Sequence, residues 1–417
     1  MKKRLIELGK NILIVLLLCS AILLAIAALP PRSLKEVPWI TRVLQPMAPL
    51  LGLPEAELTH VEEATPVFDA AQPIAISVMG PSGRSTAMWD FAELDDAFER
   101  FSPILGQAME DAGNFAQVST PQVQAALSES SVYFRYSSAL PADLLASWLD
   151  AKLGAAIGAT DTCILSASED TLSLYLLGEK RYCAKTQIPS DVLLPLLERS
   201  EPDGSRFCFE SDFPLAPLSL LPGTEPAVPA VTASNPCEGD YLITLATELG
   251  FNPYGEGRYT DDSGTVLFSE TNASVTISPE GLVTFTSTGE HFVADSLQPE
   301  ALAETARQLT HTVIESVPGE GRLYLSALER EGDVTVCRFD YLISGIPVQT
   351  SRAAAAVTFT GQRVTQAVVQ VYSFTGTGRT IYPLPTTQAA ALLPEGSKLE
   401  MAYFINADQT LSAGWIR

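Results

Sequence analysis

Hydrophobic and polar positions divide the chain into stretches of different character. Ile12–Leu29 carries eighteen residues without a charge, and only Cys19 and Ser20 in it are weakly polar. A helix of that length rises about 27 Å, close to the hydrocarbon thickness of a bilayer. Eight prolines from Pro30 to Pro73 follow, and proline favours extended chain over helix interiors. This predicts a proline-rich stalk over 30–72, with one short helical turn near Trp39–Leu44. A second cluster, Pro214, Pro217, Pro222, Pro226, Pro229 and Pro236, reads as an interdomain linker over 211–237. Two blocks, 73–210 and 238–417, remain as folded domains, the second divisible into subdomains 238–317 and 318–417.

In the first block Ile74–Met79 and Ser85–Trp89 alternate around Pro81-Ser82-Gly83, which predicts a hairpin. Leu94, Phe98, Phe101, Leu105 and Met109 keep helical spacing. Pro103 is expected to interrupt that helix, with Ser102-Pro103 able to cap and start a second one. Ser119 to Gln122, with Pro121, resembles a capped helix start. Val132, Phe134 and Tyr136 alternate as a strand, and Leu144, Leu145, Trp148 and Leu149 form a helical stripe. Strands near 162–167, 171–178 and 182–187 follow, joined by Glu-Asp and Gly-Glu-Lys-Arg turns.

The second block repeats an order of helix, proline-glycine break and strands. Its helices carry Leu242, Leu245 and Leu249, ending at Gly250; Leu302, Ala306, Leu309 and Val313, starting at Pro299; and Thr386–Leu393. The repeated order is compatible with an old duplication and equally with ordinary helix-to-strand connections. Val275 and Ile277 pair with Val283 and Phe285 across Pro279-Glu280-Gly281. Cys337, Phe339, Tyr341 and Ile343 alternate with polar neighbours, and Val357 and Phe359 lead through Gly361-Gln362 into a long strand, 363–374. Strands arriving in runs with few helical crossovers predict an α+β fold of antiparallel sheets with helices packed on one face.

Charge then orients the chain. Residues 1–10 carry a net +3 and the remaining 407 a net −26. The positive-inside rule places 1–11 in the cytoplasm, 12–29 as a single transmembrane helix and the rest outside the cell membrane. A cleaved signal peptide ending near Ala25-Ile26-Ala27 and a lipoprotein at Cys19 are the competing readings; the long apolar run and the missing small residue before Cys19 weigh against them. Ala21, Ala25 and Ala28 fall on one helical face as candidates for close helix packing, against the plainer reading of ordinary alanine content in an anchor. The acidity argues against a nucleic-acid partner, which needs a basic footprint.

Chemical motifs are sparse. There is no H-E-x-x-H, and His60, His291 and His311 are far apart in sequence, with His311 off the apolar stripe of its helix. There is no G-x-S-x-G, and none of the five lysines beyond residue 29 follows a Ser by three. Gly80–Thr86 has a faint look of a phosphate loop but leads toward a strand, not a helix N-terminus. Asp90, Glu93, Asp95, Asp96 and Glu99 sit where carboxylates favour a helix start, and Asp261-Asp262-Ser263-Gly264 reads as a turn without calcium-loop spacing. Cys163 and Cys183 belong to strands two spacings apart, too far for a disulfide. Cys208 and Cys237 could clamp the linker, and buried free thiols are the other reading. No catalytic residue, metal site or cofactor is expected, and the chain is not expected to be an enzyme.

The layout resembles the YycH/YycI proteins. The local likeness covers Phe339-Asp340-Tyr341 through Gly345-Ile346-Pro347-Val348, then Val357-Thr358-Phe359, and the last hairpin Tyr403-Phe404-Ile405-Asn406-Ala407. Ile74–Trp89 and Val132–Tyr136, before Leu140-Pro141, are similar to the YycH N-terminal domain, and 238–417 is YycI-like. The resemblance implies a membrane-anchored auxiliary regulator of a WalK/WalR-type two-component system. Its partners would be a sensor histidine kinase and a paralogous auxiliary protein, with the bilayer reached through residues 12–29. The alternative is a surface-anchored binding module for a cell-wall component or small ligand. If the anchor is retained, washed membranes hold the full-length chain and mass spectrometry finds residues 1–29 still attached; a mature N-terminus just after Ala27 in the medium would overturn it.

Overall fold

A computed structural model describes residues 70–416, Ser168 excepted. The membrane segment 12–29, the stalk and Ala21, Ala25 and Ala28 lie outside the described residues. Among the described residues no helix is long and apolar enough to cross a membrane.

The fold is a mixed, sheet-rich α+β arrangement. The first half gives β1 (Ala75–Gly80), β2 (Gly83–Met88), α1 (Phe91–Asp111), β3 (Ala116–Gln117), α2 (Thr120–Ser128), β4 (Ser131–Pro141), α3 (Ala142–Trp148), β5 (Ala159–Ser166), β6 (Thr171–Gly178), β7 (Arg181–Pro189) and α4 (Leu194–Leu197). Its seven strands are ordered β2-β1-β4-β5-β6-β7-β3, and every neighbouring pair is antiparallel. The β1–β2 hairpin closes at Gly80 opposite Gly83, so the faint phosphate-loop sequence is a strand-to-strand turn.

α1 is one helix of 21 residues with Pro103 inside it, so the interruption expected at Ser102-Pro103 does not occur. Pro103 and Glu99, whose carbonyl loses its partner there, both face solvent, where water can take the orphaned group. Asp90 caps the helix, accepting from the N–H groups of Ala92 at 2.8 Å and Glu93 at 3.2 Å. At α2 the Ser119 N–H donates to Gln122 Oε1 at 2.8 Å, the reciprocal half of a capping box.

Helices cover both faces of this sheet, which corrects the one-face expectation. Phe98, Phe101 and Leu105 of α1 pack on Ile76, Val132 and Phe134. On the other face Val123 and Leu127 of α2 meet Tyr133 and Ile164. The period-2 pattern allowed this because β4 buries residues on both sides, with Val132, Tyr133 and Phe134 all at 2% exposure or less.

The chain between the blocks forms β8 (Arg206–Phe207), β9 (Leu220–Leu221) and β10 (Val228–Ser234). Phe207 lies against Tyr133 with centroids 5.0 Å apart. Buried Arg84 holds this segment to the sheet, donating to Glu210 Oε1 and to Leu127 O at 2.9 Å each, with its guanidinium 4.4 Å above the Phe207 ring.

The second half gives α5 (Asp240–Glu248), β11 (Arg258–Thr260), β12 (Val266–Ser269), β13 (Ala273–Ile277), β14 (Leu282–Ser287), α6 (Pro299–Ile314), β15 (Gly321–Glu331), β16 (Val334–Ile343), β17 (Ile346–Gln349), β18 (Ala355–Thr360), β19 (Arg363–Gln370), β20 (Ser373–Ile381), α7 (Thr386–Leu392), β21 (Met401–Ile405) and β22 (Leu411–Trp415). Ten strands run β11-β12-β13-β14-β19-β18-β16-β17-β21-β22, and β15 joins on β16. Val275 faces Phe285 and Ile277 faces Val283, the pairing that the alternation predicts. Two expectations are corrected. The strand expected over 363–374 ends at Gln370, and β20 leaves to pair with β10 in a separate ribbon. The β17–β21 pair is parallel, in an otherwise antiparallel sheet.

One apolar core runs through both halves, from Ile76, Phe98 and Phe134 to Leu245, Leu309 and Phe359. α3 meets α6, and Trp148 Nε1 donates to Glu304 at 3.3 Å. The β16–β17 turn has Ser344 and Gly345 at φ 52° and 75°, as tight hairpins require. A Cβ on Gly345 would lie 2.7 Å from Leu94 Cδ1, so this turn docks closely on α1. With the core shared, calorimetry on Phe134→Ala should show both halves melting in one transition, destabilised by roughly 3–5 kcal/mol. Two resolved transitions would contradict a shared core.

Candidate functional site

A polar cleft of about 480 Å³ lies on the α2 side of the first sheet, within the range of small-ligand sites. It forms where two strands lose register side by side. β4 matches Arg135 to Thr162 and next Leu140 to Thr160, so Tyr136-Ser137-Ser138-Ala139 bulge out. Opposite, Asp161 is the extra residue where β5 shifts against β6. Bulges bend a strand and free its backbone from the ladder.

Side chains stabilise the break. Ser138 Oγ donates to Leu325 O at 2.8 Å, tying the bulge to β15. Buried Thr160 Oγ1 sits 2.9 Å from Thr162 O and 2.7 Å from Leu177 O, joining the shifted strands. At Gly178 a Cβ would sit 2.2 Å from Ala159 O, so only glycine lets β6 pass here.

The opposite wall comes from two distant segments. Ala216 N–H donates to Ser397 O at 2.8 Å, and Leu399 N–H to Ser219 Oγ at 3.2 Å. They bring the apolar stretch Ala216-Pro217-Leu218 and the polar pair Lys398 and Glu400 to the rim. Tyr133 forms part of the floor. Burial pushes its phenol above the ordinary tyrosine range, outweighing the nearby Arg135 charge and a hydrogen bond with Thr162, so it stays neutral.

The charges in the cleft are unequally satisfied. Lys398 pairs with Asp161 at 3.0 Å, and Thr162 Oγ1 also donates to Asp161 at 3.0 Å. Arg135 Nη1 lies 3.5 Å from Leu399 O, a marginal contact. Its Nε is buried with no hydrogen-bond partner. Among the described residues no carboxylate pairs with Arg135, and the Glu400 side chain has no hydrogen-bond or ion-pair partner. A half-buried guanidinium left this way is unusual, because unmade charged hydrogen bonds are costly.

The residues singled out from the sequence have other roles. Of the acid cluster at α1, Asp95 takes two hydrogen bonds from Arg322 at 2.9 Å each, and Gln72 donates to it as well. The Arg322 guanidinium also lies 4.0 Å over the Phe91 ring. Asp96 pairs with Arg100 at 2.5 Å. Asp261 Oδ1 accepts from the N–H groups of Ser263 and Thr265 at 2.9 Å each, closing its turn. His311 is exposed, and the His291 ring stacks 6.1 Å from Phe251. The five cysteines among the described residues are free, so Cys208 and Cys237 do not clamp the linker. Burial pushes the Cys208 thiol up to about 11 and that of Cys237 to about 12, which keeps both protonated.

Sequence reasoning passed over Arg135, Asp161, Lys398 and Glu400. One signal was available: Arg135 is the only charge in the strand Ser131–Pro141. No protein-family model, curated protein or solved structure matches this chain.

The Asp95–Arg322 contact has a definite pH signature. Partial burial by itself raises the Asp95 carboxyl, but hydrogen bonds from Arg322 and Gln72 and the Arg322 charge outweigh it and hold the carboxyl below the usual range. Its stabilisation is therefore complete above the unfolded value of about 3.9 and is lost as pH falls through the lower folded value. The Asp95 side chain is 44% exposed, so solvent screening keeps the cost of Asp95→Asn near neutral pH to about 1 kcal/mol or less. Urea midpoints of the two proteins should converge below about pH 4. A gap that persists in acid would rule out this ion pair as its source.

Proposed function

We propose that the protein is a single-pass, membrane-anchored extracytoplasmic regulator that modulates a sensor histidine kinase by direct contact. The observation that carries this reading is the order of segments in the sequence: a basic start, eighteen uncharged apolar residues, a proline-rich stretch and a strongly acidic remainder. The antiparallel α+β body suits such an ectodomain, and the YycH/YycI resemblance supplies the class of partner. Such a protein acts only if it binds one kinase conformation better than another, since equal affinity for both shifts no population. A second reading, a tethered module that binds a cell-wall component or small ligand, is favoured by the unpaired Arg135 in the cleft.

Cross-linking in intact cells followed by purification of the full-length chain should recover a histidine kinase. Deleting the gene should change transcription from that kinase's target promoters. Replacing residues 1–29 with an unrelated membrane anchor should weaken the effect if the membrane helix takes part in the contact. Unaltered signalling after deletion of the whole gene would overturn the regulatory reading.

A further inference from the structure

Arg135 and Glu400 share one cleft, carry opposite charge, and form no ion pair with each other among the described residues. The neighbouring charges do pair, Lys398 with Asp161 at 3.0 Å. The guanidinium's one hydrogen bond to a described residue uses Nη1, at 3.5 Å to Leu399 O. That leaves Nη2 without a hydrogen bond to a described residue, a charged donor that a carboxylate oxygen can meet. Nε is buried away from the cleft, and Arg181 adds a further positive group to the lining beside Arg135 and Lys398. Tyr133, Leu177 and the wall Ala216-Pro217-Leu218 line the same cleft, and suit an apolar or amide body.

We propose that this cleft binds a small zwitterionic peptide, its carboxylate on the terminal guanidinium nitrogens of Arg135 and its ammonium on Glu400. The volume of about 480 Å³ suits a body of two or three residues better than a lone amino acid. The assignment rests on the binding-module reading and names its ligand; it requires neither a kinase partner nor the membrane anchor. A bound carboxylate would supply the hydrogen bonds that the protein leaves unmade at Arg135, while Glu400 would discriminate against a plain carboxylic acid.

The test measures thermal unfolding and titration calorimetry of the full-length chain with glycylglycine, trialanine, acetate, methylamine and inorganic phosphate. The peptides should raise the melting temperature and give a saturable heat, and acetate, methylamine and phosphate should not at the same concentration. Arg135→Lys keeps the charge but removes the planar guanidinium, and should weaken peptide binding about tenfold or more. Glu400→Gln should weaken the peptides and bring their affinity toward that of acetate. Both variants should melt near the parent temperature without ligand, which separates lost binding from lost folding. Equal binding of acetate and peptide, or binding of phosphate alone, would overturn the zwitterion assignment while leaving a ligand-binding cleft in place. No response to any probe would overturn the assignment; retention of the full-length chain on purified cell-wall material then judges the binding-module reading separately.

Discussion

The break in register between Arg135 and Leu140 of β4 is the feature on which the other parts converge. Before the break, β4 is a central strand of the first sheet, buried on both faces. Within it Ser138 bonds to β15, and beyond it the strand leads straight into α3, which meets α6 of the second half. The same break opens the cleft and leaves Arg135 at its edge. A strand that continued in register would close the cleft and lose the bond that joins the halves. At the break the neighbouring Thr160 hydroxyl reaches the carbonyls of Thr162 and Leu177, and Ser138 bonds across to Leu325.

The use of cations sharpens the contrast at the cleft. In so acidic a chain each arginine has many possible partners, and several of them find a carboxylate. Arg84 binds Glu210, Arg307 binds Glu304 with two of its nitrogens, and Arg322 binds Asp95 with two. These contacts fasten the segment after α4, the α6 surface and the meeting of α1 with β15. Arg135, half-buried, has no carboxylate partner among the described residues. One reason is that Asp161, in the same cleft, is already engaged by Lys398.

Local pattern made much of the fold legible. The Val275–Phe285 hairpin and the β1–β2 hairpin follow from alternation bounded by proline and glycine, and α6 from its apolar stripe behind Pro299. What escaped depended on long-range choice. Val371 and Phe374 continue an apolar pattern past Gln370, yet the chain changes sheets there because β10, far back in sequence, offers an edge. Pro103 reads as a break only until its face is known to be wet. The cleft was hidden for a related reason: its residues come from β4, β5 and a loop before β21, and only the lone charge of Arg135 among apolar neighbours signalled anything locally.

The ribbon of β10 and β20 constrains how the chain can assemble. Ala230 and Thr377, bonded in this ribbon, are 147 residues apart. During synthesis β10 emerges early and must wait, its edge exposed, until nearly the whole second half has been made. An early-emerging edge of Val228, Val231 and Ala233 invites mispairing with another nascent chain. Proline at 229 within that edge removes one backbone donor and so blunts the strand during its long wait.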